Sequence, residues 1–257
     1  MVVRIRRGSI ALLGLSLWSL GGAATAPPTS GMIDAAISDP RRPVDQVKLD
    51  VRRKPALSIL FSESKPGDRM VDFMSGNGYF ARLLSDVVGP RGHVYAYIPA
   101  EQIAHCSPRE IAGTKAMTRD PSYMNVTFLT GSLADFRVPE KLDLIWMSQS
   151  YHDLHDSFLG PPNIARLDKA LFDALKPGGV LLVIDHVAEA RSGLRDTETL
   201  HRIDPNRMRN EIEAAGFVLE SQSDALRNKD DDHRRAIFDP SIRGRTDQVM
   251  FRFRKPT

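Results

Sequence analysis

The sequence predicts an α/β domain built on a mostly parallel sheet with helices on both faces. Three observations carry this reading. Short apolar, strand-like runs alternate with longer stretches of helical pattern, the order that βαβ units produce. The first strand candidate closes on Gly76-Asn77-Gly78 just before a helical stretch, a strand, glycine turn and helix in succession. The composition is 42% hydrophobic and 26% charged over 257 residues, which excludes disorder as the dominant state and leaves enough chain for a full core.

The elements follow in order. Residues 27–45 are rich in Pro, Ser, Asp and Arg and read as a tether or an irregular cap. From Gln46 to Glu63, apolar Val47, Leu49, Val51, Leu57, Ile59, Leu60 and Phe61 suit a helix broken at Pro55. Lys65-Pro66-Gly67-Asp68 is a turn by composition. Strands are expected at Arg69–Met74, His93–Ile98, Val126–Thr130, Leu142–Met147 and Val180–Asp185. Helices are expected over Tyr79–Val88, in broken form over Glu101–Met117, and over Ile164–Leu175. Asp204-Pro205 reads as an N-cap with proline at the first helical position, opening a helix that stops at Gly216. Phe217–Gln222 and Gln248–Phe253 read as two last strands joined by a long loop.

The N-terminus has the layout of a secretory signal peptide. Arg4, Arg6 and Arg7 precede the apolar run Ile10–Leu20, and Ala24-x-Ala26 fits a small-residue cleavage site. The run is about half the length of a membrane-spanning helix, so no stable membrane insertion is expected after cleavage. The expected organisation is a signal peptide at 1–26, an N-terminal extension at 27–55 and the main domain at 56–257, exported to the periplasm. Ordinary secretion is the expected route; Arg6-Arg7 leaves twin-arginine transport open, although the surrounding residues match that signal poorly. The chain has 35 Lys+Arg and 32 Asp+Glu, and its first 26 residues hold three arginines and no acid, so their removal leaves 32 of each. A mature chain of zero formal charge gives no support to nucleic-acid binding. A single cysteine, Cys106, excludes an intramolecular disulfide and a Cys-based zinc cluster, and it reads as a small buried hydrophobe.

The chemistry is carried by the turn after the first strand. Gly76 and Gly78 remove side chains where a ligand must approach the backbone, the following helix offers amide donors, and Asp72 offers an acceptor. Lys65-Pro-Gly-Asp-Arg-Met-Val-Asp72, Gly76-Asn-Gly78-Tyr79, Val88-Gly-Pro-Arg-Gly-His-Val-Tyr95 and Leu175-Lys-Pro-Gly-Gly-Val-Leu-Leu182 follow in order and spacing. Together they resemble the class I S-adenosylmethionine-dependent methyltransferases, from about residue 56 to 253. The resemblance implies a Rossmann-like, seven-stranded, mostly parallel sheet with a reversed C-terminal strand. His152-Asp153, Leu226–His233 and Phe238–Gly244 resemble a bacterial exported group of predicted methyltransferases.

The same resemblance implies S-adenosyl-L-methionine as cofactor. It places Asp72, Gly76, Gly78 and Tyr79 at its methionine part, Ser132 and Leu133 at its adenine, and Ser148 and Tyr151 beside the methyl donor. There are departures. Met74 stands at the first glycine of the usual turn, which predicts a stiffer or shifted loop. Ile98-Pro99 stands where an acid normally grips the ribose, with Glu101 as a substitute, and Ser132 replaces the aspartate common after the third strand. Lys176-Pro177-Gly178-Gly179 reads as a structural turn.

Ligands in such sheets sit beyond the carboxyl ends of the strands. Three polar clusters are expected there: Tyr151–Asp156; Asp185-His186 with His201-Arg202; and the last long loop, with Arg227, Asn228, Asp230–His233, Arg243 and Arg245. His152 is the first choice as general base because its neutral pKa suits proton transfer, with Asp153 orienting it or acting directly. Packing over the cofactor or capping a helix is the competing role, and His186 is an equal geometric candidate. A metal reading competes, since His152, Asp153, His155, Asp156, Asp185 and His186 are hard or borderline ligands, but their spacing fits no fixed metal signature and no metal ligand is assigned. Asp230–Asp232 reads as a solvated loop or lid, and Trp146 as core.

Three functions compete. The first is methyl transfer to a small-molecule acceptor. The second is a degenerate domain of this fold that binds a ligand or partner without catalysis. The third is a nicotinamide-dependent dehydrogenase reading of Gly76-x-Gly78-x-x-Ala81, disfavoured by the missing acid after the second strand and by the reversed terminal hairpin.

Overall fold

The computed structural model describes residues 29–160 and 163–257. The signal peptide expected at 1–26 lies outside the described residues. In chain order the elements are α1 Ser30–Ile37, α2 Val44–Val47, α3 Asp50–Arg53, α4 Pro55–Ser62, β1 Arg69–Phe73, α5 Tyr79–Val88, β2 His93–Pro99, α6 Ala100–His105, α7 Pro108–Met117, β3 Val126–Gly131, β4 Leu142–Ser148, α8 Ile164–Ala174, β5 Leu175–His186, α9 Thr197–Leu200, α10 Pro205–Ala214, β6 Val218–Ser223 and β7 Gln248–Arg254.

The strands form one seven-stranded sheet in the order β3-β2-β1-β4-β5-β7-β6. β1 pairs parallel to β2 and β4, while β7 runs antiparallel to both β5 and β6. Side chains alternate between the two faces, as the strand period of two requires. Val71, Phe73, Ile145, Met147, Leu181 and Val183 join Leu171 of α8 and Ile212 of α10 in one core. Met70, Leu144, Trp146, Leu182 and Ile184 join Ile33, Ile59, Leu83 and Leu84 of α1, α4 and α5 in the other. Strands buried on both faces in this way read as continuous apolar runs. Trp146 is core, as its place at the end of an apolar strand indicated. Among the described residues no helix is long and apolar enough to cross a membrane.

Helix starts follow their capping residues. The Asp204 side chain accepts from Asn206 N at 2.9 Å with Pro205 in the first turn, and Asn163 accepts from Arg166 N at 3.0 Å to open α8.

Four expectations are corrected. Residues 30–37 form a helix, α1, capped by the Thr29 side chain, and its Ile33 and Ala36 are buried in the core against α5. Two apolar positions one turn apart were too few to mark that helix within a Pro- and Arg-rich segment. β5 begins at Leu175, not Val180: Leu142 pairs with Leu175 and Leu144 with Val180, so residues 176–179 bulge within the strand. Gly178 takes φ +76° there, which favours glycine. Asp231 is buried, with Oδ2 accepting from the fully buried Arg202 Nη1 at 2.8 Å and from Asp247 N at 2.7 Å. The acidic run is therefore an anchored loop with only its flanking acids in solvent. Cys106 is half-buried at the C-terminal cap of α6 and not a core residue.

Candidate active site

The turn after β1 keeps its left-handed geometry despite the missing first glycine. Met74, Gly76 and Gly78 have φ of +58°, +53° and +76°. Methionine at such an angle is strained, and burial of its side chain in the core holds it. Neighbours clamp the turn. Thr114 Oγ1 donates to Gly76 O at 2.8 Å, Gln46 Nε2 to Asn77 O at 2.8 Å, and Gly113 N to Asn77 Oδ1 at 2.5 Å. Arg82 Nη1 donates to Asn77 O at 3.1 Å and to Gly78 O at 3.2 Å.

The two glycines serve different ends. A Cβ at Gly78 would lie 2.9 Å from Thr114 Oγ1 and 3.2 Å from Arg82 Nη1, so this glycine makes room for the chain's own α7 and α5. A Cβ at Gly76 would meet nothing nearer than Met74 O at 4.0 Å. Gly76 therefore presents the open side of the turn. Asp72 Oδ2 on β1, Ser75 Oγ in the turn, Gln102 Oε1 on α6 and Ser150 Oγ just after β4 are buried without hydrogen-bond partners. Unpaired buried polar atoms are costly, and a polar ligand against the turn would satisfy them. Burial pushes the Asp72 carboxyl up to about 7. Ser75, Gln102 and Ser150 were not singled out in the sequence. Ser75, lying inside the glycine turn, was the one with a local signal.

Glu101 reaches across from α6 to the end of β3. Its Oε1 accepts from Ser132 Oγ at 2.6 Å and from Leu133 N at 3.1 Å. The structure thus brings together Glu101, Ser132 and Leu133 as expected, but the carboxylate now occupies the Leu133 amide. Ser148 ends β4, half-buried. Tyr79 and Tyr151 face elsewhere. Tyr79 donates to Asp50 Oδ1 at 2.6 Å beneath Arg53, and the fully buried Tyr151 donates to Asp168 Oδ2 at 2.9 Å. Both are packing residues, a distinction between helix faces that the motif spacing could not make.

The histidine cluster lies at the ends of β4 and β5. Asp185 Oδ1 pairs with His152 Nδ1 at 2.7 Å, and Asp185 Oδ2 accepts from His152 N at 2.8 Å. His152 Nε2 lies 3.0 Å from Asp153 Oδ1, and the residue is 1% exposed. Burial disfavours its imidazolium, but Asp185 and Asp153 outweigh that and hold it up to about 10. With both ring nitrogens paired to carboxylates, His152 is not free to take a proton from an acceptor, the general-base role expected from the sequence. Burial opposes ionisation of Asp153, yet His152 and His201 hold it down to about 2. Asp153 keeps a partly exposed side chain and remains a candidate to touch substrate. His186 differs: burial pushes it down to about 3, so its ring is neutral. Its Nδ1 pairs with Thr246 Oγ1 at 2.8 Å and its Nε2 makes no hydrogen bond among the described residues.

His186 also lines a cavity of about 310 Å³ with Gln149, Phe238, Gln248, Arg52, Arg53 and Arg243. No carboxylate lines it, and none of these three guanidinium groups makes an ion pair or hydrogen bond among the described residues. Arg53 is placed over the rings of Tyr79 and Phe80, at 4.6 and 5.7 Å. Arg52 lies against the Gly244 backbone, where a Cβ would overlap it. A wider neighbouring cleft shares Arg52, Arg243, Gly244 and Gln248 with it and adds Lys54, Arg227, Arg235 and Arg245 together with Asp230. Sequence reasoning placed Arg243 here and missed Arg52 and Arg53, which arrive on α3 well ahead of the recognisable motifs.

The strand order, the reversed β7 and the glycine turn after β1 define a class I methyltransferase fold. Comparison with known proteins agrees. A solved S-adenosylmethionine-dependent methyltransferase from Aquifex aeolicus superposes with a TM-score of 0.55 at 17% identity, over 88% of this chain and 98% of that one. No family model matches the sequence. Among curated proteins, the protein-L-isoaspartate O-methyltransferase of Ignicoccus hospitalis is 28% identical over 128 residues, 50% of this chain and 52% of its own. The ubiquinone/menaquinone biosynthesis C-methyltransferase of Vibrio cholerae is 28% identical over 147 residues, 54% of this chain and 50% of its own. The chain thus spans about half the length of the curated relatives it matches.

Proposed function

We propose that this protein is an S-adenosylmethionine-dependent methyltransferase acting outside the cytoplasm on a small acceptor that carries a carboxylate or phosphate. The observation that carries the reading is the clamped left-handed turn after β1, open at Gly76, together with buried, unpartnered polar atoms of Asp72, Ser75, Gln102 and Ser150 at or just after the carboxyl ends of β1, β2 and β4. These groups suit a ligand with an ammonium, a carboxylate and hydroxyls, and Glu101 is the acid available for a ribose. When bound, that cofactor supplies an electrophilic sulfonium methyl group. Arg52, Arg53 and Arg243 orient an anionic acceptor by charge and hydrogen bonding. His186, with Nε2 unpaired in the same cavity, is placed to hydrogen-bond the acceptor.

Calorimetry with S-adenosylhomocysteine tests this. The wild-type chain should bind it and ignore a nicotinamide cofactor, and Gly76→Val should weaken binding at least tenfold by filling the open side of the turn. Binding of the nicotinamide alone would sink the proposal.

One observation favours the degenerate alternative: Glu101 sits on the Leu133 amide that the resemblance assigns to adenine. If Glu101 yields that amide and grips the ribose, Glu101→Ala should weaken S-adenosylhomocysteine roughly tenfold, in line with loss of a charged hydrogen bond. Tighter binding in Glu101→Ala would mean that the carboxylate plugs the site.

A further inference from the structure

We propose that His152, Asp153 and His201 form a binding site for a divalent transition-metal ion at the carboxyl end of the sheet, next to the arginine-lined cavity. One ligand atom from each of the three lies within 4.8 Å of the other two. Asp153 Oδ1 is 3.0 Å from His152 Nε2 and 3.5 Å from His201 Nδ1. Ligands about 2.1 Å from a tetrahedral ion stand about 3.4 Å apart along the edges of their polyhedron, so these spacings already suit a coordination shell.

The surroundings support a cation. Asp185 binds His152 Nδ1 at 2.7 Å and also its backbone amide at 2.8 Å. A carboxylate behind a histidine fixes the tautomer that turns the other ring nitrogen to a metal. Asp156 is the independent sign. It is 1% exposed, neither of its carboxylate oxygens has a hydrogen-bond partner, and Oδ2 lies 3.7 Å from His201 Nδ1. A buried carboxylate left without a donor is costly, and a cation between it and His201 would remove that cost. Among the described residues, no lysine or arginine pairs with Asp153, Asp156 or Asp185.

The donor set is two imidazoles and one carboxylate, with Asp156 beside it. Imidazole with carboxylate suits zinc, iron, cobalt or manganese rather than calcium or magnesium, which prefer all-oxygen shells. Three protein ligands leave at least one position open. The His201 and Asp153 side chains are 27% and 20% exposed, which gives an ion a way in. Phe238 packs on His201 at 4.9 Å between ring centres and also lines the arginine cavity, so the two sites adjoin. The ligands were not recognisable as a set in the sequence, because two are adjacent and the third comes from the connection after β5. Cation binding needs no methyl-donor cofactor, so this proposal stands apart from the one above.

The test loads the full chain, freed of metal by a chelator, with cobalt(II) and then zinc(II). Visible absorption and calorimetry should report one equivalent per chain with micromolar or tighter affinity. His201→Gln and Asp153→Asn should each weaken binding at least tenfold, with circular dichroism verifying that both variants are folded. X-ray absorption on the zinc-loaded wild-type chain should find two imidazoles per ion, a readout that needs no variant. No saturable binding below about 1 mM cobalt, wild-type affinity in folded His201→Gln, or a zinc shell without imidazole would each overturn the site.

Discussion

Asp72 lies on the α5 side of β1, fully enclosed, with its carboxyl raised to about 7 from an ordinary 3.8. Between those values the unfolded chain has lost a proton that the folded chain still holds. Folding stability contributed at this site is therefore intact at pH 4 and falls as pH rises to 7. About three pKa units correspond to roughly 4 kcal/mol at most. Asp72→Asn cannot ionise, so thermal unfolding should show the ligand-free variant gaining on wild type between pH 4.5 and 8; parallel curves would place the carboxyl in water. Ionised Asp72 is also the form that accepts from an ammonium. Wild-type affinity for S-adenosylhomocysteine should rise between pH 6 and 8, and that of Asp72→Asn should stay flat. Asp72, Gly76 and Glu101 were legible in the sequence because strand, turn and next strand end lie close together along the chain. The loss of His152 as a base was not legible. It depends on Asp185 arriving from β5 to take the second ring nitrogen.

At the scale of elements, the cofactor turn is braced by a helix that no motif marks. α7 opens with a Ser107–Glu110 capping box and lays Gly113 and Thr114 against the turn. A Cβ at Gly113 would overlap both the side chain and the carbonyl of Asn77. Gly113→Ala should push the turn out of place, at a cost of about 1–3 kcal/mol as overpacking usually carries. Differential scanning calorimetry should show the lowered melting temperature, and titration should show S-adenosylhomocysteine binding weakened at least tenfold with the sheet's circular dichroism intact. Full affinity in that variant would mean that the turn is set by β1 and α5 alone. The helix was expected only as part of a broken stretch, since Pro108 and Gly113 obscure its period.

For the whole molecule, the charge balance ties to the proposed export. The intact chain carries a formal +3, and loss of three arginines with residues 1–26 brings it to zero. Protein recovered from the periplasm of an expressing bacterium should begin at Pro27 and focus at a lower pH than the intact chain. Arg4, Arg6 and Arg7 changed together to Ser should leave the precursor in the cytoplasm. An uncut N-terminus in the periplasmic fraction would refute the cleavage. Zero net charge does not leave the surface neutral. Arg52, Arg53 and Arg243 gather around one cavity without a carboxylate, and focusing of that kind selects for anionic ligands.

By itself the sequence determined the α/β class, the order of the strands along the chain and the glycine turn, while the reversed last hairpin followed from the family resemblance. The first three are signals of local period and short-range turn chemistry, which neighbouring residues carry between them. The tertiary structure alone decided which side of the turn is open, that α1 belongs to the core, that Tyr79 and Tyr151 face away from the crevice, and that Arg52 and Arg53 meet Arg243. It also set His152 against Asp185 and brought His201 to Asp153. Each of these depends on contacts between residues far apart in the chain, whose side-chain directions follow from packing the two faces of the sheet rather than from any pattern along it.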